Sequence, residues 1–317
     1  MLYEDILHAI GGTPLVRLEH SSPKPGVHIY AKLEGHNPTG SIKDRIALYM
    51  ISAAEESGEL TPDKTILEAT SGNTGISLAM VARVRGYGLL SVLPDFVTPE
   101  REQLLRAFGA EVVYAKNARS TNNAIYMAQR MLKEEPDRYY MPDQFGNKAN
   151  PRAHYETTGV EILRDLPQVD AFVAGLGTGG TLTGVGHRLK EHNPDVKVVA
   201  AVPCAGDPVQ GLRSLEEGFL PSVLDESVLD GRILVRSRPA FASTKKLMES
   251  EGIFAGISSG AVMLAAQKVA AGMERGNVVV LLADGGWKYL STHLWTKAYE
   301  EPASEEEEEE IEGKVWW

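Results

Sequence analysis

Apolar positions along the chain fall into two alternating patterns. Short runs rich in Val, Ile, Leu and Ala read as buried strands: "TILEA" (65–69), "GLLSVLP" (88–94), "EVVYA" (111–115), "AFVAG" (171–175), "VKVVAAV" (196–202) and "NVVVLLA" (277–283). Between them lie longer stretches with helical spacing, "TGISLAMVARVRGY" (74–87), "TPEREQLLRAFG" (98–109), "STNNAIYMAQRMLKEE" (120–135), "TLTGVGHRLKEHN" (181–193) and "GAVMLAAQKVAAGME" (260–274). Strand and helix in alternation predict an α/β fold with mostly parallel sheets wrapped by helices. Two Gly-rich strand-to-helix turns, about a hundred residues apart, predict two such layered domains with a cleft between them. No repeat of fixed period and no long flexible linker interrupts the pattern.

Composition narrows the class. At 317 residues the chain is long enough for two domains, and 43% hydrophobic with 24% charged residues describes a soluble globular protein. A net charge of -11 argues against nucleic acid or an anionic membrane as partner. Much of that charge sits in the tail "SEEEEEEIEGKVWW" (304–317), which holds seven glutamates and one lysine, so the body is only mildly acidic. The single cysteine, Cys204, leaves no internal disulfide and no cysteine metal cluster and suits a reducing compartment. With no basic, apolar leader at the N-terminus and no membrane-length apolar run, the expected location is the cytoplasm.

Chemistry concentrates at three points. In "EGHNPTGSIKDR" (34–45), Ser41 and Asp44 match an S-x-x-D capping box, which places Lys43 in the first turn of a helix. A cation there faces the positive end of the helix dipole; either it is an indifferent surface lysine, or its amine is meant to lose its charge. The turn "EATSGNTG" (68–75) crowds Thr70, Ser71, Asn73 and Thr74 at a helix start, where backbone N–H groups bind anions. It lacks the lysine of a nucleotide-triphosphate loop, and a small carboxylate fits it better than a nucleotide; a plain loop rich in N-cap residues is the competing reading. The turn "AGLGTGGTLTG" (174–184) matches G-x-G-x-x-G through Gly175, Gly177 and Gly180, yet the next strand ends "VVAAVPC" without the acid that would hold a dinucleotide ribose. Gly177, Thr178, Gly179, Gly180 and Thr181 suit a compact monophosphate instead.

A monophosphate site, a carboxylate site and a lysine of depressed pKa together point to pyridoxal phosphate and Schiff-base chemistry. In "EGIFAGISSGAVMLA" (251–265), Ser258 and Ser259 stand at a helix start. One of them caps the helix, and the other is free to meet the cofactor's ring nitrogen. A neutral serine there makes a weaker electron sink than an aspartate, favouring α,β-elimination.

With these motifs in place, the sequence resembles the cysteine synthase (O-acetylserine or O-phosphoserine sulfhydrylase) family of fold-type II pyridoxal phosphate enzymes, akin to the tryptophan synthase β fold. The likeness runs in order through "IGGTPLVRL" (10–18), "HNPTGSIKDR", "TSGNTG", "GTGGTLTG", "EGIFAGISSGA" and "DGGWKYLST" (284–292). It implies two three-layer αβα domains. Residues 37–148 form one, residues 1–36 with 149–303 the other, and 304–317 the acidic tail. It implies that Lys43 is the Schiff-base lysine, that Asn73 bonds the cofactor's 3′-oxygen, that Gly177, Thr178, Gly179, Gly180 and Thr181 hold the phosphate, and that Ser258 faces the ring nitrogen. Thr70, Ser71, Thr74 and Gln144 would hold the substrate carboxylate, with no metal. The implied reaction is β-replacement through an α-aminoacrylate, and the implied assembly a homodimer closing around its substrate.

Within that family the chain resembles the B-type branch. Where A-type members carry a glycine-rich stretch, it reads "QGLRSLEEGFLP", placing Arg213 where it can pair with a phosphate leaving group or stand as a solvated loop arginine. Arg213 alone does not settle the donor, but "GWKYLST" (286–292) and "EGKVWW" (312–317) further resemble O-phosphoserine-dependent members, so O-phosphoserine is the favoured donor over O-acetylserine. Sulfide, thiosulfate and a protein thiocarboxylate all stay open as sulfur source. "KVWW" at the end of the tail is expected either to cover the site or to fray. Competing readings are an S-sulfocysteine synthase, a cystathionine β-synthase or dehydratase of the same fold, a non-catalytic regulatory protein on this scaffold, and last a dinucleotide-dependent dehydrogenase.

Overall fold

The computed structural model describes residues 2–70, 72–94, 97–115, 121–218 and 220–299. In chain order it runs β1 (Leu15–Leu18), β2 (Val27–Leu33), α1 (Lys43–Ser57), β3 (Thr65–Ala69), α2 (Asn73–Arg85), β4 (Gly88–Leu93), α3 (Pro99–Ala107), β5 (Glu111–Tyr114), α4 (Thr121–Glu134) and β6 (Tyr139–Tyr140). There follow α5 (Ala149–Ala153), a π-helical turn (His154–Thr158), α6 (Gly159–Asp165), β7 (Ala171–Gly175), α7 (Gly180–His192), β8 (Lys197–Pro203), β9 (Gly231–Val235), α8 (Ser237–Glu251), α9 (Ser259–Gly272) and β10 (Gly276–Leu282). The six strands and five helices read from the apolar pattern are all present, and the α/β architecture is as predicted.

By internal contact the chain divides into two compact units. The first comprises the segment ending at Ile10 together with Asn37–Asn150; the second comprises Gly11–His36 and the chain from Pro151 onward. The first unit holds a four-stranded sheet, ordered β5-β4-β3-β6, with every pair parallel. Leu67, Ala69, Leu90 and Val92 from its central strands pack on Ala124 and Ala128 of α4.

The second unit holds a six-stranded sheet, ordered β1-β2-β10-β7-β8-β9, in which only the β1–β2 pair is antiparallel. Its central strands β7, β8 and β10 are buried along nearly their whole length, which explains their unbroken apolar runs. The Ala-rich α9 is buried almost all round and packs on that sheet.

β2 and β9 interrupt the apolar pattern with charged residues. In β2, Lys32 is fully buried; its Nζ donates to the Thr13 carbonyl at 2.6 Å and pairs with Glu161 at 2.7 Å. The other Glu161 oxygen accepts the Gly12 N–H at 2.9 Å. The buried charge is thus matched and hydrogen-bonded, as burial requires.

Candidate active site

Each unit carries one set of the residues singled out from the sequence. In the first unit, Lys43 is the first residue of α1 and is half-buried. The Ser41 hydroxyl accepts from the Lys43 N–H at 3.3 Å. Asp44, the other half of the predicted box, is fully buried and turns its carboxylate to tertiary partners. It accepts the Thr39 N–H at 2.7 Å, the Thr39 hydroxyl, and the Ser77 hydroxyl of α2 at 2.6 Å. A negative charge in the first turn suits the helix dipole, and here it also ties the start of α1 to α2.

The start of α2 is the second element. β3 runs out at Ala69 into Thr70, whose hydroxyl accepts from the Gly72 N–H at 3.3 Å and whose carbonyl accepts from Ser91 at 3.2 Å. Gly72 is the extended residue before α2, and Asn73 and Thr74 open the helix. Thr74 and Gln144, both buried, meet directly: the Thr74 hydroxyl donates to Gln144 Oε1 at 2.6 Å. The Gln144 carbonyl accepts from Asn150 Nδ2 at 2.7 Å, which fixes that segment. Ser71 lies outside the described residues, as does the "KVWW" tail.

One residue here carried no assignment from the sequence. Glu68 of β3 is buried and accepts from the Asp143 N–H, and its Oε2 has no partner among the described residues. Burial first, then the charge of Asp143, pushes its carboxyl up to about 8, so it is neutral at pH 7. Its only sequence signal is an acid inside an apolar strand.

In the second unit, β7 leads through Leu176 to the glycine turn. Gly179, at φ 88, is the left-handed residue before α7, and the Thr178 hydroxyl accepts from the Gly180 N–H at 3.4 Å. A helix N-terminus opened this way aims backbone N–H groups outward, a fit for phosphate. The segment bearing Arg213 folds against the turn. The Arg213 N–H donates to the Leu176 carbonyl at 2.7 Å, and a Cβ on Gly177 would stand 3.1 Å from the Gly211 carbonyl. A Cβ on Gly211 would in turn lie 3.9 Å from Ser258 Oγ. The glycine turn, the Arg213 segment and Ser258 are therefore neighbours.

At α9 the structure corrects the expectation that one of the two serines caps the helix. Ser258 has helical φ and ψ of -69° and -14° and makes no side-chain cap, and the buried Ser259 Oγ has no partner among the described residues. The Ser258 hydroxyl is left uncommitted beside the Arg213 segment, as a ring-nitrogen contact requires. These features fit pyridoxal phosphate: an anion-binding turn, an uncommitted hydroxyl near it, and a lysine at a helix N-terminus. Among the described residues no cluster of His, Cys, Asp or Glu is arranged to hold a metal, and no helix is long and apolar enough to cross a membrane.

Over most of its length the chain is similar to known proteins. Residues 6–284 match the family described as pyridoxal-phosphate dependent enzyme. A "Probable cysteine synthase" of Bacillus subtilis (strain 168) is 45% identical over 300 residues, covering 90% of this chain and 96% of that one. A solved cysteine synthase from Entamoeba histolytica superimposes with a TM-score of 0.90 at 34% identity, covering 95% of this chain and 93% of that one. A solved O-ureido-L-serine synthase gives 0.88 at 39% identity, covering 96% and 98%.

Proposed function

The chain belongs to the pyridoxal-phosphate-dependent enzymes, and from that premise we propose that it makes L-cysteine by β-replacement on an O-activated L-serine, with O-phosphoserine as the donor. When bound, pyridoxal phosphate supplies an electrophilic carbon for the substrate amine and an electron sink for the bonds at Cα. The residues assigned to it are Lys43, Asn73, Gly177, Thr178, Gly179, Gly180, Thr181 and Ser258.

The amine of Lys43 does the proton work. Standing at a helix N-terminus favours its uncharged form, which takes the α-proton from the substrate. Thr70, Ser71, Thr74 and Gln144 hold the substrate carboxylate, with hydroxyl and amide groups that carry no charge of their own. A neutral Glu68 in β3, two residues before Thr70, adds no repulsion. The leaving group departs from Cβ, and the sulfur donor, sulfide in the simplest case, bonds to the same carbon.

Arg213 carries the choice of donor. What supports it is the backbone bond from the Arg213 N–H to the Leu176 carbonyl, which holds the Arg213 segment beside the glycine turn, together with the ability of a guanidinium to grip a phosphate by two parallel hydrogen bonds. The test compares kcat/KM for O-phosphoserine and O-acetylserine, with sulfide, in the wild type and in Arg213→Ala. We expect O-phosphoserine to be preferred, and Arg213→Ala to cost about a hundred-fold on it while sparing O-acetylserine. A strong preference for O-acetylserine, indifferent to Arg213→Ala, rules the reading out. A homodimer working in the cytoplasm completes the proposal.

A further inference from the structure

A π-helical turn, His154–Thr158, is set between α5 and α6. Such turns leave backbone carbonyls without their usual partners and need a reason to persist. Side chains pin this one at two carbonyls: Arg188 of α7 donates to the Tyr155 carbonyl at 3.1 Å, and the Thr157 hydroxyl donates to the Ala153 carbonyl at 2.5 Å. The turn is also pressed on α7, since a Cβ on Gly184 would stand 2.2 Å from the Pro151 carbonyl and 2.8 Å from His154 Cβ.

That packing fixes the direction of one side chain. His154 is fully buried, with Nδ1 3.1 Å from the Thr158 hydroxyl and Nε2 3.3 Å from the hydroxyl of Thr181, in the first turn of α7. Thr158 is fully buried as well. A threonine hydroxyl has one proton to give, so what it donates to depends on what it accepts from.

We propose that His154 is a positioning residue for the cofactor phosphate, held as the neutral Nε2–H tautomer. Thr158 donates its proton to Nδ1, Nε2–H donates to Thr181 Oγ1, and the Thr181 proton is thereby turned outward to a phosphate oxygen. The π turn exists in this scheme to bring an imidazole to the back of the phosphate turn. The inference rests on the assignment of Thr181 to the phosphate.

The test uses the holoenzyme. Nitrogen-15 spectra of histidine-labelled protein, with the His154 signal assigned by its loss in His154→Gln, are expected to show Nε2 protonated; a protonated Nδ1 overturns the relay. His154→Gln and Thr181→Val are each expected to weaken retention of pyridoxal phosphate about ten-fold. Each should also move the phosphorus-31 resonance of the bound cofactor in the same direction. The double variant should be no worse than the poorer single one, because both cut one chain of hydrogen bonds. Thr158→Val keeps the imidazole and the shape of the threonine and should give the same change in smaller measure, which keeps the test open if His154→Gln fails to fold.

Unaltered retention and resonance in folded His154→Gln and Thr158→Val, beside a weakened Thr181→Val, overturns the relay and leaves the phosphate assignment standing. An unaltered Thr181→Val overturns both.

Discussion

The two strand-to-helix turns look alike as strings and differ as objects. At the start of α2, Gly72 is extended, at φ -118°, and a Cβ placed on it would meet nothing within 4 Å. At the start of α7, Gly179 is left-handed, and a Cβ there would come within 2.7 Å of Leu224 Cβ. The first turn is open at Gly72, though packed at Gly75, and is lined by hydroxyl and amide side chains; the second is packed at Gly179 and presents backbone. The difference matches a division of labour. A group that arrives and leaves in every cycle needs an open turn with side chains to receive it. A resident phosphate is better held by a rigid, packed one, where little entropy remains to be lost on binding.

The largest effect expected from this contrast is on the open side. Lys43→Ala should lower kcat by at least about a thousand-fold while the protein, retaining the packed turn, still takes up pyridoxal phosphate, as read from visible absorbance after dialysis. Loss of the cofactor along with activity would mean that the packed turn does not hold it alone. Gly179→Ala is the mirror case. It sets an L residue at φ 88 and drives a methyl into Leu224, so it should cost about 1–3 kcal/mol in thermal or urea unfolding and release the cofactor with Lys43 intact. A Gly179→Ala protein of wild-type stability and cofactor content would erase the distinction between the turns.

The same contrast explains what was legible in the sequence. Strands β3, β4, β5, β7, β8 and β10 announce themselves because they are short, apolar and bounded by turn residues. The glycine turns and Lys43 stand out because small polar residues cluster where helices begin. What stayed hidden depends on residues distant in the chain. β2 breaks the apolar pattern with Lys32, whose partner Glu161 is reached only through the fold. Asp44 is read locally as half of a capping box, yet Ser77 on the next helix claims its carboxylate. The two serines at the start of α9 read as an N-cap by type, but a cap needs extended backbone and Ser258 has already turned helical. The π turn leaves no mark in "NPRAHYETTG", because nothing in the spacing distinguishes one extra residue per turn from an ordinary helix.

Glu68 offers the next test, since it lies in the strand that feeds the open turn. Its folded-state pKa is raised from 4.5 to about 8, so between those values the folded protein holds a proton that the unfolded chain has released. The sign follows: the residue costs nothing below pH 4.5, and stability is lost progressively as pH rises toward 8. Glu68→Gln copies the neutral acid and removes this dependence. Urea unfolding of the two proteins should therefore diverge across that window, with the variant ahead by on the order of a few kcal/mol above pH 8. Parallel curves would show that Glu68 is ionised in the folded protein, and the absence of repulsion proposed for the substrate carboxylate would go with it.

The smallest effect decides what the open turn binds. Thr74→Val keeps the shape but removes the hydroxyl that donates to Gln144. If Thr74 and Gln144 hold the substrate carboxylate as a pair, KM for the amino acid should rise about ten-fold, with kcat and cofactor content little changed. Gly72→Ala, placed in open space at a φ that alanine accepts, should leave stability within about 0.5 kcal/mol and affect the amino-acid KM alone. A fall in cofactor affinity in either variant would mean that the open turn also carries the resident group, and that the two turns do not divide the work as their packing implies.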